Sequence, residues 1–337
     1  MSTIKDVAKV SGVSIATVSR VINNGPKVSS KTREKVTKVM LELGYSPNAN
    51  ARALVTQKSS TIGVVVPALT DPFFASLANG VETIAREKNM QLLLSTALLT
   101  AESEREAINL LIERRCHSII IHSKMLPKEE LIQLCNRIPG LVLIDRVIDE
   151  IKHKCVWIDN LEGGKIAARH LLTLQHQHLA CISSNYQIED PTLRLKGFTE
   201  ELKTSGITLD KKLIEYAEPS LQGGEIAAQH LLASKQPFSA VFVYNDAMAI
   251  GAISTFEDSG FHVPNDISVI GFDDVLLSRY SRPKLTTLHY PIEKMAEQAT
   301  TLSLELLNKE NTINENGYKY IPRLVKREST NMKTEGS

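Results

Sequence analysis

Residues 3–23, TIKDVAKVSGVSIATVSRVIN, decide how the rest of the chain is read. Ile4, Val7, Ala8 and Val10 fall on one side of a helix that Thr3 can cap, and Gly12 stands where the chain must turn. Ser14 caps a second helix, whose buried positions are Val18, Val21 and Ile22. A helix-turn-helix needs a small residue where the helices approach, a turn residue that tolerates left-handed backbone, and a branched apolar lock on the second helix. Ala8, Gly12 and Val18 occupy those three places. A third helix begins near Ser29 and Ser30, carries Val36, Val39, Met40 and Leu43 at helical spacing, and stops at Gly44. The pattern predicts a small all-α DNA-binding domain over residues 1–46.

Charge supports that reading. Residues 1–60 hold ten Lys/Arg against three Asp/Glu, a net +7, which leaves −6 for the remainder (29 basic, 35 acidic) although the whole chain carries only +1. A basic end on a mildly acidic body is the asymmetry expected of a nucleic-acid-binding module attached to something else. On a recognition helix the N-terminal end meets base edges, so Ile15, Ala16 and Thr17 are the expected first contacts. Ile15 and Ala16 read only apolar features such as thymine methyls, whereas Arg20 can grip a guanine in two places. Ser14, Ser19, Asn23 and Ser29 are expected to fix register on phosphates, with Thr3 beside them. Ser19 and Asn23 also fit ordinary surface positions, and Ile15 a partly buried staple.

The length of 337 residues suits two or three domains, and 42 % hydrophobic with 23 % charged residues excludes disordered and fibrous chains. No apolar run approaches the roughly 18 residues of a membrane span, and MSTIKDVAKV has no signal core, so a cytoplasmic protein without membrane association is expected. Cys116, Cys135, Cys155 and Cys181 form no CxxC pair, which points to buried thiols rather than zinc or disulfides.

From Thr61 the texture changes to nine short apolar runs: TIGVVVP, QLLLSTA, SIIIHS, LVLID, CVWID, LACISS, LIEYA, AVFVYN and ISVIGFDD. Most are separated by stretches of helical period such as FFASLANGVETIAREKN. Such alternation predicts two open parallel sheets covered by helices on both faces. GGKIAARHLL (163–172) recurs as GGEIAAQHLL (223–232), read as two equivalent helices of one sheet. The polar SPNANARALVTQKSS between head and body has the composition of a linker.

In open α/β sheets ligands bind beyond the carboxyl ends of strands. Those ends supply Asp71 and Phe73, Asp145, Asn245 and Asp273, with Arg194 following the LACISS strand. Carboxylates, an amide and a guanidinium grip neighbouring hydroxyls, and an aromatic covers the apolar face of a sugar ring. Strand-end Asp and Asn also cap helices, so each taken singly is ambiguous. No GxSxG, GxGxxG, GxxxxGK[ST] or HExxH pattern speaks for catalysis, and no cofactor or metal is indicated; His170, His176 and His178 straddle a helix end without a ligand set.

MSTIKDVAKVSGVSIATVSRVINN, VSSKTREKVTKVMLELGYSPNANARAL, VPNDISVIGFDDV and RPKLTTL together resemble the lactose/galactose repressor family of bacterial transcription regulators over essentially the whole chain. SPNANARAL, TDPFF, GFDDVLLSRYSRPKLTT and RLVKRES look most like its galactose repressor and isorepressor branch. The resemblance implies a hinge helix over 47–60 that places Asn48, Ala51, Arg52 and a wedging Leu54 in the minor groove. It also implies a periplasmic-binding-protein-like core over 61–337, with one lobe near 61–159 and 291–321 and the other near 160–290 and 322–330. Arg194, Asn245 and Asp273 match ligand positions of the family, Asp71 and Phe73 lie in its first pocket loop, and Asp274 is structural. An aromatic that several members stack on the effector is Pro219 here, leaving Phe73 or Trp157 to replace it. The chain lacks a long C-terminal heptad tail, which favours a homodimer.

The expectation is therefore a repressor bound to palindromic operator DNA and released by D-galactose. A different effector, such as another hexose, a pentose or a purine, and a sugar-transforming α/β enzyme with a basic appendage remain alternatives.

Overall fold

The computed structural model describes residues 2–23, 25–45, 61–308 and 314–333, and the chain divides into two compact units, Met1–Ser60 and Thr61–Ser337. The hinge positions Asn48, Ala51, Arg52 and Leu54 lie outside the described residues.

The first unit contains α1 (Ile4–Ser11), α2 (Ile15–Ile22) and α3 (Ser30–Glu42). Thr3 and Asp6 form a reciprocal capping box on α1, and Gly12 ends that helix at φ +65°. Ser14 and Ser29 cap α2 and α3 by accepting the N–H of Thr17 at 3.1 Å and of Thr32 at 3.2 Å. Val7, Ala8, Val18, Val21, Val36 and Val39 are buried together as the core. Arg33 on α3 donates to the carbonyls of Val21 (3.2 Å) and Gly25 (3.3 Å) and so holds the loop after α2.

The second unit is two α/β lobes. Lobe 1 has a sheet of β1 (Thr61–Val66), β2 (Gln91–Thr96), β3 (Ser118–Ile121), β4 (Gly140–Ile144), β5 (Cys155–Ile158) and β11 (Tyr318–Tyr320). Their order is β11-β5-β4-β3-β1-β2, parallel throughout. Lobe 2 repeats the pattern with β6 (Leu179–Ser184), β7 (Ile214–Ala217), β8 (Ala240–Val243), β9 (Ser268–Asp273), β10 (Thr286–His289) and β12 (Arg323–Val325), ordered β12-β10-β9-β8-β6-β7. Here β12 runs antiparallel to β10, an exception to the expected all-parallel sheets. β3, β4, β6 and β8 are buried along their whole length, as strands covered on both faces must be.

Helices α4 (Pro72–Glu87), α5 (Ala101–Glu113), α6 (Lys128–Arg137) and α11 (Ile292–Asn308) belong to lobe 1, and α7 (Asn160–Thr173), α8 (Glu189–Thr204), α9 (Leu221–Ala233) and α10 (Asp246–Asp258) to lobe 2. The chain changes lobe three times: between β5 and α7, between β10 and α11, and between β11 and β12. The echoed helices are α7 and α9, on opposite faces of the lobe 2 sheet. Their second glycines do the same work, because a Cβ on Gly164 would sit 2.0 Å from the Arg194 carbonyl, and one on Gly224 2.1 Å from that of Met248. Each glycine lets a partner helix, α8 or α10, press backbone against backbone.

Candidate DNA interface and effector cleft

On the head, Ile15, Ala16 and Arg20 are exposed on α2, with Asn23 just past its end. Ile15 is 46 % exposed, so it is available to a partner and does not serve as a buried staple. The Thr17 and Ser14 hydroxyls share a hydrogen bond of 2.9 Å, which ties one expected contact to the cap. Asn23 Nδ2 donates weakly to Ser19 Oγ at 3.4 Å, and Ser29 and Thr3 are exposed. An exposed row with a single long cation, on a helix fixed at its N-terminus, has the form of a groove reader.

In the core, the strand order reverses direction beside β1 in lobe 1 and beside β6 in lobe 2, the switch points where α/β sheets place ligands. A cavity of about 460 Å³ lies there, lined from lobe 1 by Asp71, Phe73, His122, Lys124 and Asp145, and from lobe 2 by Asp190, Arg194, Tyr244, Asn245 and Asp273. All six expected effector residues line it. Asp71 and Asn245 cap α4 and α10, accepting the N–H of Phe73 and of Met248 at 2.9 Å each, and still face the cavity. Capping a helix therefore does not take either side chain out of the cavity lining.

Arg194 is 4 % exposed. Its Nε donates to Asn160 Oδ1 at 2.8 Å and its Nη1 to the Tyr244 carbonyl at 2.7 Å, while the guanidinium lies 3.6 Å above the Phe272 ring. Asp273 stands 3.7 Å away at φ +110°, backbone that a residue with a side chain rarely adopts. Burial pushes the Asp273 carboxyl well above the usual range, with Arg194 pulling it back. Asp274 turns the other way, to Arg327 at 2.5 Å and His289 at 2.9 Å, as a structural residue should.

Asp145 is a hub. Its Oδ1 accepts the Tyr290 hydroxyl, and its Oδ2 meets His122 Nε2 at 3.1 Å and Lys124 Nζ at 2.8 Å. Burial raises its pKa, but the Lys124 ammonium and His122 overcome that and hold the carboxyl below its ordinary value. Lys124 behaves in the mirror sense: burial pulls it down, and Asp145 and Asp190 outweigh the loss of water and keep it above the ordinary lysine value. Tyr290 is pushed far up by burial, so it keeps the proton it donates.

Phe73 is 8 % exposed and packs edge-on against Phe74 (5.3 Å) and Tyr290 (4.9 Å) at the cavity wall. Trp157 is absent from the cavity lining and packs with the outer core of lobe 1, so it does not replace the aromatic missing at Pro219. His122, Lys124, Asp190, Tyr244 and Tyr290 escaped the sequence reading. The HSK that follows SIII carried a strand-end signal for the first two; Tyr290 follows a strand, TTLH, too short and polar to stand out. His170 and His176 are buried structural groups, bonded to Thr330 at 3.0 Å and to Ser239 at 2.8 Å. Among the described residues there is no metal-ligand cluster, and no helix is long and apolar enough to cross a membrane.

Comparison with known proteins agrees with this architecture. The profile for bacterial regulatory proteins of the lacI family matches residues 3–48, and that for a periplasmic binding protein-like domain matches residues 168–330. The HTH-type transcriptional regulator GalR of Salmonella typhimurium is 44 % identical over 99 % of this chain and 98 % of its own length. GalS of the same organism is 45 % identical over 90 % of each, and the repressor CytR of Escherichia coli 33 % over 90 % and 89 %. Among solved structures, the lac repressor dimer bound to operator and the anti-inducer ONPF superposes with a TM-score of 0.88 at 28 % identity, covering 98 % of this chain and 99 % of that one. These relatives are transcriptional regulators, which removes the enzyme alternative. With a helix-turn-helix in the first unit, a two-lobed cleft in the second and near-complete coverage by such relatives, the chain belongs to the lacI family of bacterial regulatory proteins.

Proposed function

We propose that the protein is a cytoplasmic, dimeric repressor of galactose metabolism or transport genes, released from a near-palindromic operator when D-galactose closes its cleft. The observation that carries the effector assignment is the Arg194–Asp273 pair, held 3.7 Å apart on a buried aromatic floor, with Asp71 and Asn245 beside it. A guanidinium and a carboxylate side by side match adjacent sugar hydroxyls, and Phe73 suits the apolar ring face. Five acidic side chains (Asp71, Asp145, Asp190, Glu218, Asp273) outnumber Lys124 and Arg194 in the lining, which disfavours phosphorylated or acidic sugars. The 44 % identity to the transcriptional regulator GalR over nearly the whole chain supports this reading.

On DNA, Ile15, Ala16, Thr17 and Arg20 contact bases, Thr3, Ser14, Ser19, Asn23 and Ser29 fix register on phosphates, and Asn48, Ala51, Arg52 and Leu54 enter the minor groove. Operator affinity falls steeply with salt, since neutralised phosphates release counterions. The sugar acts only through unequal affinity for the DNA-competent and DNA-released states. The deciding experiment is calorimetry of the full-length protein with D-galactose, D-ribose, cellobiose and galactose 1-phosphate, paired with retention of a duplex selected from random DNA. Galactose binding that frees the duplex is expected; heat only with another sugar, or galactose binding with the duplex still held, overturns the proposal.

A further inference from the structure

The loop after β3 is fastened with more bonds than a surface connection needs. Glu104 of α5, 1 % exposed, accepts the Ser123 hydroxyl at 2.5 Å and the N–H groups of Lys124, Met125 and Leu126 at 2.9–3.0 Å. From the other side Arg146 donates to the carbonyls of Ser123 (3.3 Å) and Leu126 (2.9 Å). Spending a buried carboxylate and a guanidinium on four residues fixes where Lys124 begins.

Where Lys124 ends is equally determined. Its ammonium has three protons and meets three acceptors: the Asp145 carbonyl, Asp145 Oδ2 at 2.8 Å, and the Asp190 carboxylate at 2.8 Å. With all three donors engaged it has none to offer a sugar, although it lines the cavity. Asp145 belongs to lobe 1 and Asp190 to the first turn of α8 in lobe 2. The ion pair therefore joins the lobes through the cleft itself, beside the chain crossings at Asn160 and Tyr290, which touch Asp190 and Asp145.

We propose that Lys124 is a positioning residue, a charged tie that draws α8 and its Arg194 toward lobe 1, so that the sugar-free core already rests near its closed geometry. The interlobe attraction depends on this one ammonium. With it, Asp145 and Asp190 are held to a common cation; without it, two buried carboxyl groups face each other with no cation between them, and the attraction across the cleft is lost. Asn160 passes the pull along α8, its Nδ2 lying 3.5 Å from Asp190 and its Oδ1 accepting from Arg194 Nε. A sugar that binds the closed form has an apparent affinity scaled by the closed fraction. The tie therefore sets sensitivity without touching the ligand.

The test is an interlobe distance measured in the full-length protein by paired spin labels at exposed Lys128 and Lys196, each replaced by cysteine and diluted into unlabelled chains. The four native cysteines are buried and leave the labels selective. Without sugar, the parent should show one narrow distance, and Asp190→Asn and Lys124→Met should add a longer component. Galactose affinity should fall about tenfold in Asp190→Asn, with the short distance restored at saturating sugar. Asp190→Asn keeps the side-chain shape and decides the matter if Lys124→Met fails to fold. Distance distributions identical to the parent's in Asp190→Asn overturn the tie. Because that readout requires no sugar, it stands or falls independently of galactose as the effector.

Discussion

The DNA head and the sugar core solve the same problem, presenting a few polar groups in fixed geometry, by opposite means. In the head, the groups proposed to read bases, Ile15, Ala16, Thr17 and Arg20, lie on one helix, and their support is local: two caps, one glycine turn and a core of Val and Ala. In the core, Asp71, Asp145, Asn245 and Asp273 come from four strand ends and Arg194 from helix α8, spread over about 200 residues, and their support is the packing of two interleaved lobes. A local site tolerates damage elsewhere in the chain. A distributed one depends on every helix that carries a member of the set.

The most severe way to break this contrast is Gly164→Ala. The new Cβ would meet the Arg194 carbonyl at 2.0 Å, so α8 must move, costing about 3 kcal/mol of core stability by overpacking. Gly140→Ala meets the His117 carbonyl at 2.4 Å, far from the cavity lining, and serves as the control. Thermal melts should show both cores destabilised, while calorimetry should show galactose affinity lost only in Gly164→Ala; equal affinity in the two variants would refute a packing-dependent site. Next, Arg20→Ala in the head should cost about 1–3 kcal/mol of operator affinity and relax preference at one base pair per half-site. Sugar binding should stay unchanged, and undiminished discrimination among variant operators would remove Arg20 from base reading.

A milder probe is Arg194→Lys, which keeps the charge but gives up the fork and the flat stacking on Phe272. Galactose binding should weaken about tenfold, roughly 1.4 kcal/mol, with operator binding intact; full affinity would mean that only the charge matters. The smallest effect separates the units by acid. The head contains no histidine, whereas His170 in the core is pushed down to about 4 by burial and by Lys326. As the pH falls from 6.5 toward 4, the unfolded chain takes up a proton that the folded core refuses, so His170 costs the core stability across that window. Asp246, pushed up to about 8 by burial, works in the opposite direction, so the slope is read as the difference between parent and His170→Gln. Roughly 1 kcal/mol is expected, and parallel melting curves for the two proteins from pH 7 to 5 would count against it.

The same contrast governs what could be read from the chain alone. Helix caps, Gly12 and the Val/Ala core are short-range features, and the caps, the turn and the buried Val7, Ala8, Val18 and Val21 are found as expected, whereas Val10, read onto the same face, is exposed at the end of α1. The nine apolar runs became strands because a buried parallel strand must be apolar throughout. β10, β11 and β12 were missed since TTLH, YKY and RLV are three or four residues long and half polar, and only their pairing partners make them strands. Asp71, Asn245 and Asp273 were legible as strand ends. Lys124 also followed a strand, but its bond to Asp190 was not legible, because nothing in the sequence says that residues 66 positions apart will meet across a cleft.

One late detail of the topology bears on how the molecule comes into being. The head is complete once residue 45 has emerged from the ribosome, but neither sheet has its full set of strands until β11 and β12 follow, some 280 residues later. At about 5–20 residues per second, that interval lasts on the order of tens of seconds. Throughout it a nascent chain carries its three head helices with no working sensor, so translation itself fixes an order in which the part that reads precedes the part that listens.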